Sequence, residues 1–258
     1  MIYLYDGSFD GLLTAIFEAY SNNTSPTAIL SANDLQMGLL EEYATINPDT
    51  RKSNRVQAGI LSHMGTSSLE QLFTAHLTPH ADRGTVIYRY LRLGFKIGPK
   101  VCGHYADPDV MCVEKMQQQV LREIQHIQGF MRFRSVDDAY YADFSPDNDI
   151  LELIAPHFAD RFNDQHFIIE DKKRNKMIAS ADGEWLLLQG ENITLPPTSK
   201  QEAYYNALWR EFHRAVTINE RINLKQQRLM LPKRYRKYML EMQANPMCEL
   251  SGLQLFLP

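Results

Sequence analysis

The sequence predicts a mixed α+β fold. It should have a helical N-terminal half with one short N-terminal strand, a small antiparallel sheet over about 129–188, and long basic helices near the C-terminal end. Three observations carry this. Apolar residues recur at helical spacing through most of 53–128; short alternating runs separated by turn residues follow; and 200–231 contains neither Pro nor Gly.

Taken in order, Ile2 to Tyr5 is an apolar run ended by Asp6-Gly7-Ser8, and Leu12, Leu13, Ile16 and Phe17 then share one side of a helix over 9–20. The Asp6–Gly11 motif could gather Asp6, Asp10 and Glu18 near a helix N-terminus. It has no GxGxxG or GxxxxGK spacing, so a turn at Gly7 and a cap from Ser8 or Asp10 is the simpler reading. Residues 21–50 are rich in turn formers and read as connection, with one strand at 27–30. Helices are expected over 53–64, 67–76 and 82–94. A longer one opens at Pro108 and runs to about Gln128, burying Val113, Met116, Val120, Ile124 and Ile127.

Gly129 to Arg134 alternates like a strand and would place Arg132 and Arg134 on one face. A strand at 140–144 follows, then a helix over 150–162 that contains Pro156. Three strands at 166–170, 176–181 and 184–188 have the turn spacing of an antiparallel meander. Asp171 to Arg174 reads as a charged hairpin tip, and 190–199 as a linker whose Thr198 and Ser199 can cap the next helix. The chain is expected to divide into an N-terminal α/β region (1–80), an α+β region ending in the basic helices (81–245) and a tail (246–258), packed as one compact unit.

The chain has 258 residues, 44% of them hydrophobic, which suffices for a packed core; its net charge is −4. That charge is unevenly placed. Lys200 to Leu240 holds ten Lys or Arg against three Glu, so any binding of nucleic acid must be local to that segment. On a straight helix Arg210, Arg214, Arg221, Lys225 and Arg228 fall within roughly 60° of one another, and Lys233 and Arg234 extend the stripe past Pro232. Tyr204, Leu208, Phe212, Ala215 and Ile222 lie opposite, on the face expected to dock on the core. Arginines spaced in this way suit phosphate contacts, Arg132 and Arg134 could face the same anion, and Arg161 is a further phosphate-binding candidate.

Acid–base candidates are Glu123 and His126, three apart on one helix, and His157, which shares a face with Arg161 at i and i+4. Cys102, Cys112 and Cys248 form no CxxC pattern, and His63, His76, His80 and His104 form no HxxxH pair. No metal and no cofactor is therefore expected, and elemental analysis of the purified protein should find no stoichiometric zinc or iron. There is no signal-peptide pattern and no run of 18 apolar residues, so the expectation is a cytoplasmic protein with no membrane contact.

Leu208-Trp209-Arg210, the run from Ile218 to Asn223, Gln226 to Arg228 and Leu231 to Tyr235 resemble the C-terminal signature of domain of unknown function 4130. That domain occurs in bacterial proteins called probable DNA metabolism proteins. The stretches 5–19, 126–133 and 156–162 resemble it too. The resemblance implies a role beside DNA repair or modification, next to a radical-SAM protein or a uracil-DNA-glycosylase-like domain, and implies no reaction. Relatives often carry Trp where this chain has Arg236, so that position is not expected to stack on a base.

Three functions follow, in order of preference. The first is a DNA-binding accessory protein whose partner carries the chemistry. The second is an enzyme on a nucleic acid or nucleotide using Glu123, His126 or His157. The third is a scaffold whose stripe meets an acidic protein surface, such as a radical-SAM protein.

Overall fold

The computed structural model describes residues 1–34, 42–190 and 196–243, and the class is mixed α+β as expected. The chain divides into two compact units. One comprises Met1–Ile124 with Asp147–Ile150, and the other Gln125–Pro146 with the chain from Leu151 onward.

In the first unit β1 (Ile2–Tyr5) is flanked by β2 (Ala28–Ser31) and β3 (Tyr43–Thr45), both parallel to it. All four residues of β1 are buried, which is why the strand reads as a continuous apolar run. β3 lies in the stretch read from sequence as connection. It is three residues long and half-exposed, too short to give an alternating signal.

Gly7 makes the turn after β1 at φ +91°, and Ser8 caps α1 (Phe9–Ser21) by accepting from the Gly11 N–H. The simpler reading of the Asp6–Gly11 motif therefore holds. Its carboxylates do not gather: Asp6 accepts from Ser8, Asp10 from Ser53, and Glu18 pairs with Lys52. α1 buries Leu12, Leu13 and Ile16, while α2 (Thr50–Met64), α3 (Thr66–His76) and α4 (Arg83–Ile97) complete the core around them. α4 lies close on edge strand β2. Thr85 Oγ1 accepts from the Ile29 N–H at 3.0 Å, and a Cβ on Gly84 would stand 2.5 Å from the Ile29 carbonyl oxygen. The otherwise open edge of β2 is thereby satisfied.

α5 (Pro108–Phe130) begins in the first unit, and its last residues belong to the second. It extends to Phe130, two residues beyond the expected end. Arg132 therefore follows the helix and is not on a strand, and the expected pairing of Arg132 with Arg134 on one strand face is corrected. Only Arg134 lies on β4 (Arg134–Val136).

The second unit carries a five-stranded sheet in the order β4-β5-β6-β7-β8, with β5 Ala139–Phe144, β6 Phe167–Asp171, β7 Lys176–Ala181 and β8 Glu184–Gln189. β6, β7 and β8 form the expected antiparallel meander. Its second turn has Asp182 and Gly183 at φ +53° and +77°, the conformation that a two-residue hairpin demands. One pairing differs from expectation, since β5 and β6 run parallel. α6 (Leu151–Arg161), with Pro156 inside it, connects them, and a strand–helix–strand connection of this kind suits parallel neighbours.

The C-terminal segment departs most from the sequence reading. α7 (Lys200–Val216) ends at Thr217 in extended backbone, Asn219–Arg221 form a 3-10 turn, and α8 (Leu224–Met230) and α9 (Lys233–Arg236) follow. The cationic stripe assumed one straight helix and does not survive the break at 217–223. Nor does the apolar face of α7 dock, because Tyr204, Leu208 and Phe212 are exposed, as is Ile222 beyond the helix. The less exposed positions of α7 include Glu202, Asn206 and Arg210, spaced i, i+4, i+8. A polar inward stripe is invisible to any reading that seeks an apolar one. Among the described residues no helix is long and apolar enough to cross a membrane.

Candidate functional site

The site is built in the second unit from β4, β5, α7 and the segment after Pro232. Ser199 caps α7 by accepting from the Glu202 N–H at 3.0 Å, and buried Glu202 accepts from the Ser135 N–H at 3.2 Å. The start of α7 is thus tied to β4. Beyond α9, the Tyr238 hydroxyl donates to Ser145 Oγ at 2.8 Å and Arg210 Nε donates to the Leu240 carbonyl at 3.3 Å. These bonds hold α7 and the last described turn side by side.

Arg132 sits at the centre. Its Nη1 donates to the Gly129 and Met131 carbonyls at 3.1 and 3.2 Å, its Nη2 donates to Glu241 at 2.7 Å, and its guanidinium lies 5.7 Å from the Trp209 ring. Trp209 Nε1 donates to the other Glu241 oxygen at 3.0 Å. The Glu241 side chain is only 3% exposed. Burial alone would raise its pKa, but the hydrogen bonds from Arg132, its own backbone amide and Trp209 outweigh that and hold it below the usual 4.5. A lowered carboxylate pKa adds stability above the unfolded value and loses it as pH falls through the folded one. Accordingly, Glu241→Gln should remove part of the stability lost below about pH 4.5 and loosen Trp209. Acid titration of stability and tryptophan emission checks this.

A cavity of about 440 Å³ opens beside this cluster. Arg132, Arg134, Lys172, Arg210 and Lys237 line it, with Asp143 as its carboxylate. Asp143 lies 2.9 Å from Lys172 and 3.7 Å from Arg134, and the hydrogen bond to Asp143 raises the Lys172 pKa. Arg134 lies 4.8 Å from the Tyr141 ring and Lys237 lies 4.6 Å from the Tyr238 ring, so aromatic faces orient both cations. Counting Asp143 and Glu241 against the five cations leaves a surplus of three positive charges around one concavity. Such a surplus gives the concavity a positive potential. A second hollow of about 900 Å³, to which α7 contributes Tyr205, Trp209 and Phe212, adjoins it and shares Arg132, Phe133, Asn206 and Leu240.

Of the residues singled out from sequence, Arg132, Arg134 and Arg210 meet at this cavity. Arg214 is exposed and pairs with Glu211 at 2.7 Å. Arg221, Lys225, Arg228 and Lys233 are exposed outside the cavity, and Arg234 lies on the Tyr235 ring at 4.8 Å. Lys172 and Lys237 were missed as site residues. Lys237 belongs to the basic run after Pro232, whereas Lys172 resembles any charged hairpin tip and offers no signal of its own.

The acid–base candidates are Glu123 in the first unit and His126 and His157 in the second. Glu123, 2% exposed in the first unit, accepts from the Asp147 N–H (3.0 Å), the Asn148 N–H (2.8 Å) and the Asn148 side-chain amide (2.6 Å). His126 stacks on Phe130 at 5.6 Å and meets the edge of Tyr235 in the second unit, while exposed His157 lies against Phe158, near Arg161 at the end of α6. None of the three lines the cationic cavity. Among the described residues no group of three or more His, Cys, Asp or Glu side chains could hold a metal ion; Cys248 lies outside those residues. Buried His76 donates from Nε2 to the Gly7 carbonyl, and burial, then Arg83, pushes its pKa down to about 4.

Fold and site together define an α+β protein with a cationic cavity beside an aromatic hollow. The chain belongs to the family described as domain of unknown function DUF4130, whose model matches residues 81–241. That range includes three of the four stretches on which the resemblance rested, and the motif at 5–19 lies outside it. No curated protein matches the chain.

Proposed function

We propose that this protein is a nucleic-acid-binding accessory protein of DNA repair or modification that grips strand phosphates in the cavity of its second unit. Its partner, a radical-SAM or glycosylase-like protein, supplies the chemistry. The observation that carries the reading is the convergence of Arg132, Arg134, Lys172, Arg210 and Lys237 on one concavity. Arginine and lysine held by ring faces and carbonyls suit phosphate oxygens, and several together exceed what one surface anion needs. Binding is preferred to catalysis because Glu123 is committed to the 147–148 backbone and neither histidine faces the cavity.

The test is equilibrium binding of a labelled DNA strand against salt concentration. With about three phosphates neutralised, the logarithm of the affinity should fall with the logarithm of salt with a slope of roughly −2 to −3 between about 50 and 200 mM. A protein with no salt-dependent affinity for DNA would dispose of the reading.

A further inference from the structure

We infer that the nucleic acid taken by this site is a single strand, with one or more unstacked bases seated in the aromatic hollow while the adjoining cavity holds the phosphate. This rests on the phosphate-binding reading above and goes beyond it by naming the strand form. The hollow, at about 900 Å³, has Phe133, Tyr140, Tyr205, Leu208, Trp209 and Phe212 in its wall beside polar residues that include buried Glu202, whose carboxylate accepts from the Ser135 N–H. Tyr205, Trp209 and Phe212 occupy consecutive turns of α7, yet they are 56%, 38% and 57% exposed. Aromatic faces left open to water in this number mark a surface that something covers.

Two features choose the occupant. The first is order: Trp209 is pinned by its Nε1 bond to Glu241 and by the Arg132 guanidinium, so its ring is already set and loses little freedom when a planar group stacks on it. The second is charge. Arg132 lines both hollows, so an occupant of the aromatic one continues directly into a cavity with surplus positive charge. A nucleotide has that pattern, a flat apolar face joined to a phosphate. In a duplex the bases cover one another's faces and offer only their edges, whereas a single strand offers faces. An apolar protein segment would fit the aromatic wall but leave the adjoining cations unanswered.

The test uses the full chain and three fluorescent probes of equal length: a mixed-sequence DNA strand, an abasic phosphodiester strand, and a blunt duplex. The native strand should bind roughly tenfold or more tightly than the abasic strand, as stacking of one or two bases provides, and more tightly than the duplex. Tyr205→Ala and Phe212→Ala should each weaken the native strand by roughly fivefold or more and leave the abasic strand unchanged. Both side chains are mostly exposed, so the fold should tolerate their loss, and thermal melting verifies that it does. If native and abasic strands bind equally with the usual salt dependence, phosphate binding stands and base stacking is wrong. If the duplex binds best, or the two variants weaken both strands alike, the inference also fails. If no probe binds in a salt-dependent way, the phosphate reading falls with it. Polyglutamate, standing in for an acidic protein surface, should compete no better than the abasic strand; were it to outcompete the native strand, the hollow would belong to a protein partner.

Discussion

Arg134→Ala combined with Arg210→Ala is expected to weaken DNA binding by about 2 kcal/mol or more, roughly thirtyfold, while the protein still folds. A hydrogen bond to a charged group contributes about 1.5–3 kcal/mol. Two such contacts would exceed that loss, but Arg134 is 41% exposed and screened by solvent, which lowers its share. The fold should survive because Arg134 makes a long ion pair with Asp143 and a contact with the Tyr141 ring, Arg210 makes a single bond to the Leu240 carbonyl, and Glu202 still ties α7 to β4. The two single substitutions should fail to add, by about 0.5 kcal/mol, since both side chains would touch one ligand. Arg221 lies outside the cavity, on the turn that breaks the helix, and the pair that shares the cavity is Arg134 and Arg210. As a contrast, Arg214→Ala with Arg228→Ala removes the same charge from exposed positions and should cost markedly less, because neither side chain lines the cavity and solvent and salt screen exposed charges. Equal losses from both pairs would mean that the cavity has no special role.

Glu123→Ala should have the larger effect on the protein itself, a loss of about 3–5 kcal/mol of stability in the first unit. The substitution leaves the Asp147 and Asn148 N–H groups and the Asn148 amide without their acceptor, and each buried orphan donor costs about 1–3 kcal/mol. Asn148 is almost fully buried and cannot turn to water instead. Glu123→Gln keeps one acceptor oxygen but turns an amide toward donors, so it should still cost about 2 kcal/mol. The check is the urea midpoint of the transition reporting on the first unit. A Glu123 that were instead an acid–base group would show the reverse pattern, with stability unchanged and an activity lost.

Much of the fold was legible in the sequence where burial is one-sided. β1, α1 and the buried face of α5 announce themselves through apolar periodicity, and the β6–β8 meander through its turn residues. What was illegible had physical causes. β3 is too short to alternate, and the parallel β5–β6 pairing depends on α6 packing back on the sheet, which no local pattern encodes. α7 docks through Glu202, Asn206 and Arg210 and turns its aromatic residues outward, the opposite of the amphipathic rule, so its apolar stripe was assigned to the core. Within the site, Arg132, Arg134 and Arg210 were found from charge type and position. Lys172 was not, because its place in the cavity comes from strand register, where Asp143 pairs with Glu170 and Lys172 follows β6.

The central claim is that phosphates occupy the cavity formed by β4, α7 and the segment after Pro232. A crystal structure of the protein with a short single-stranded oligonucleotide tests it most directly. A phosphate is expected within hydrogen-bond reach of Arg134 and Arg210, with Lys237 beside it and an adjacent base against Trp209. Phosphates bound instead along the exposed cations from Arg214 to Arg228, with the cavity empty, would contradict it.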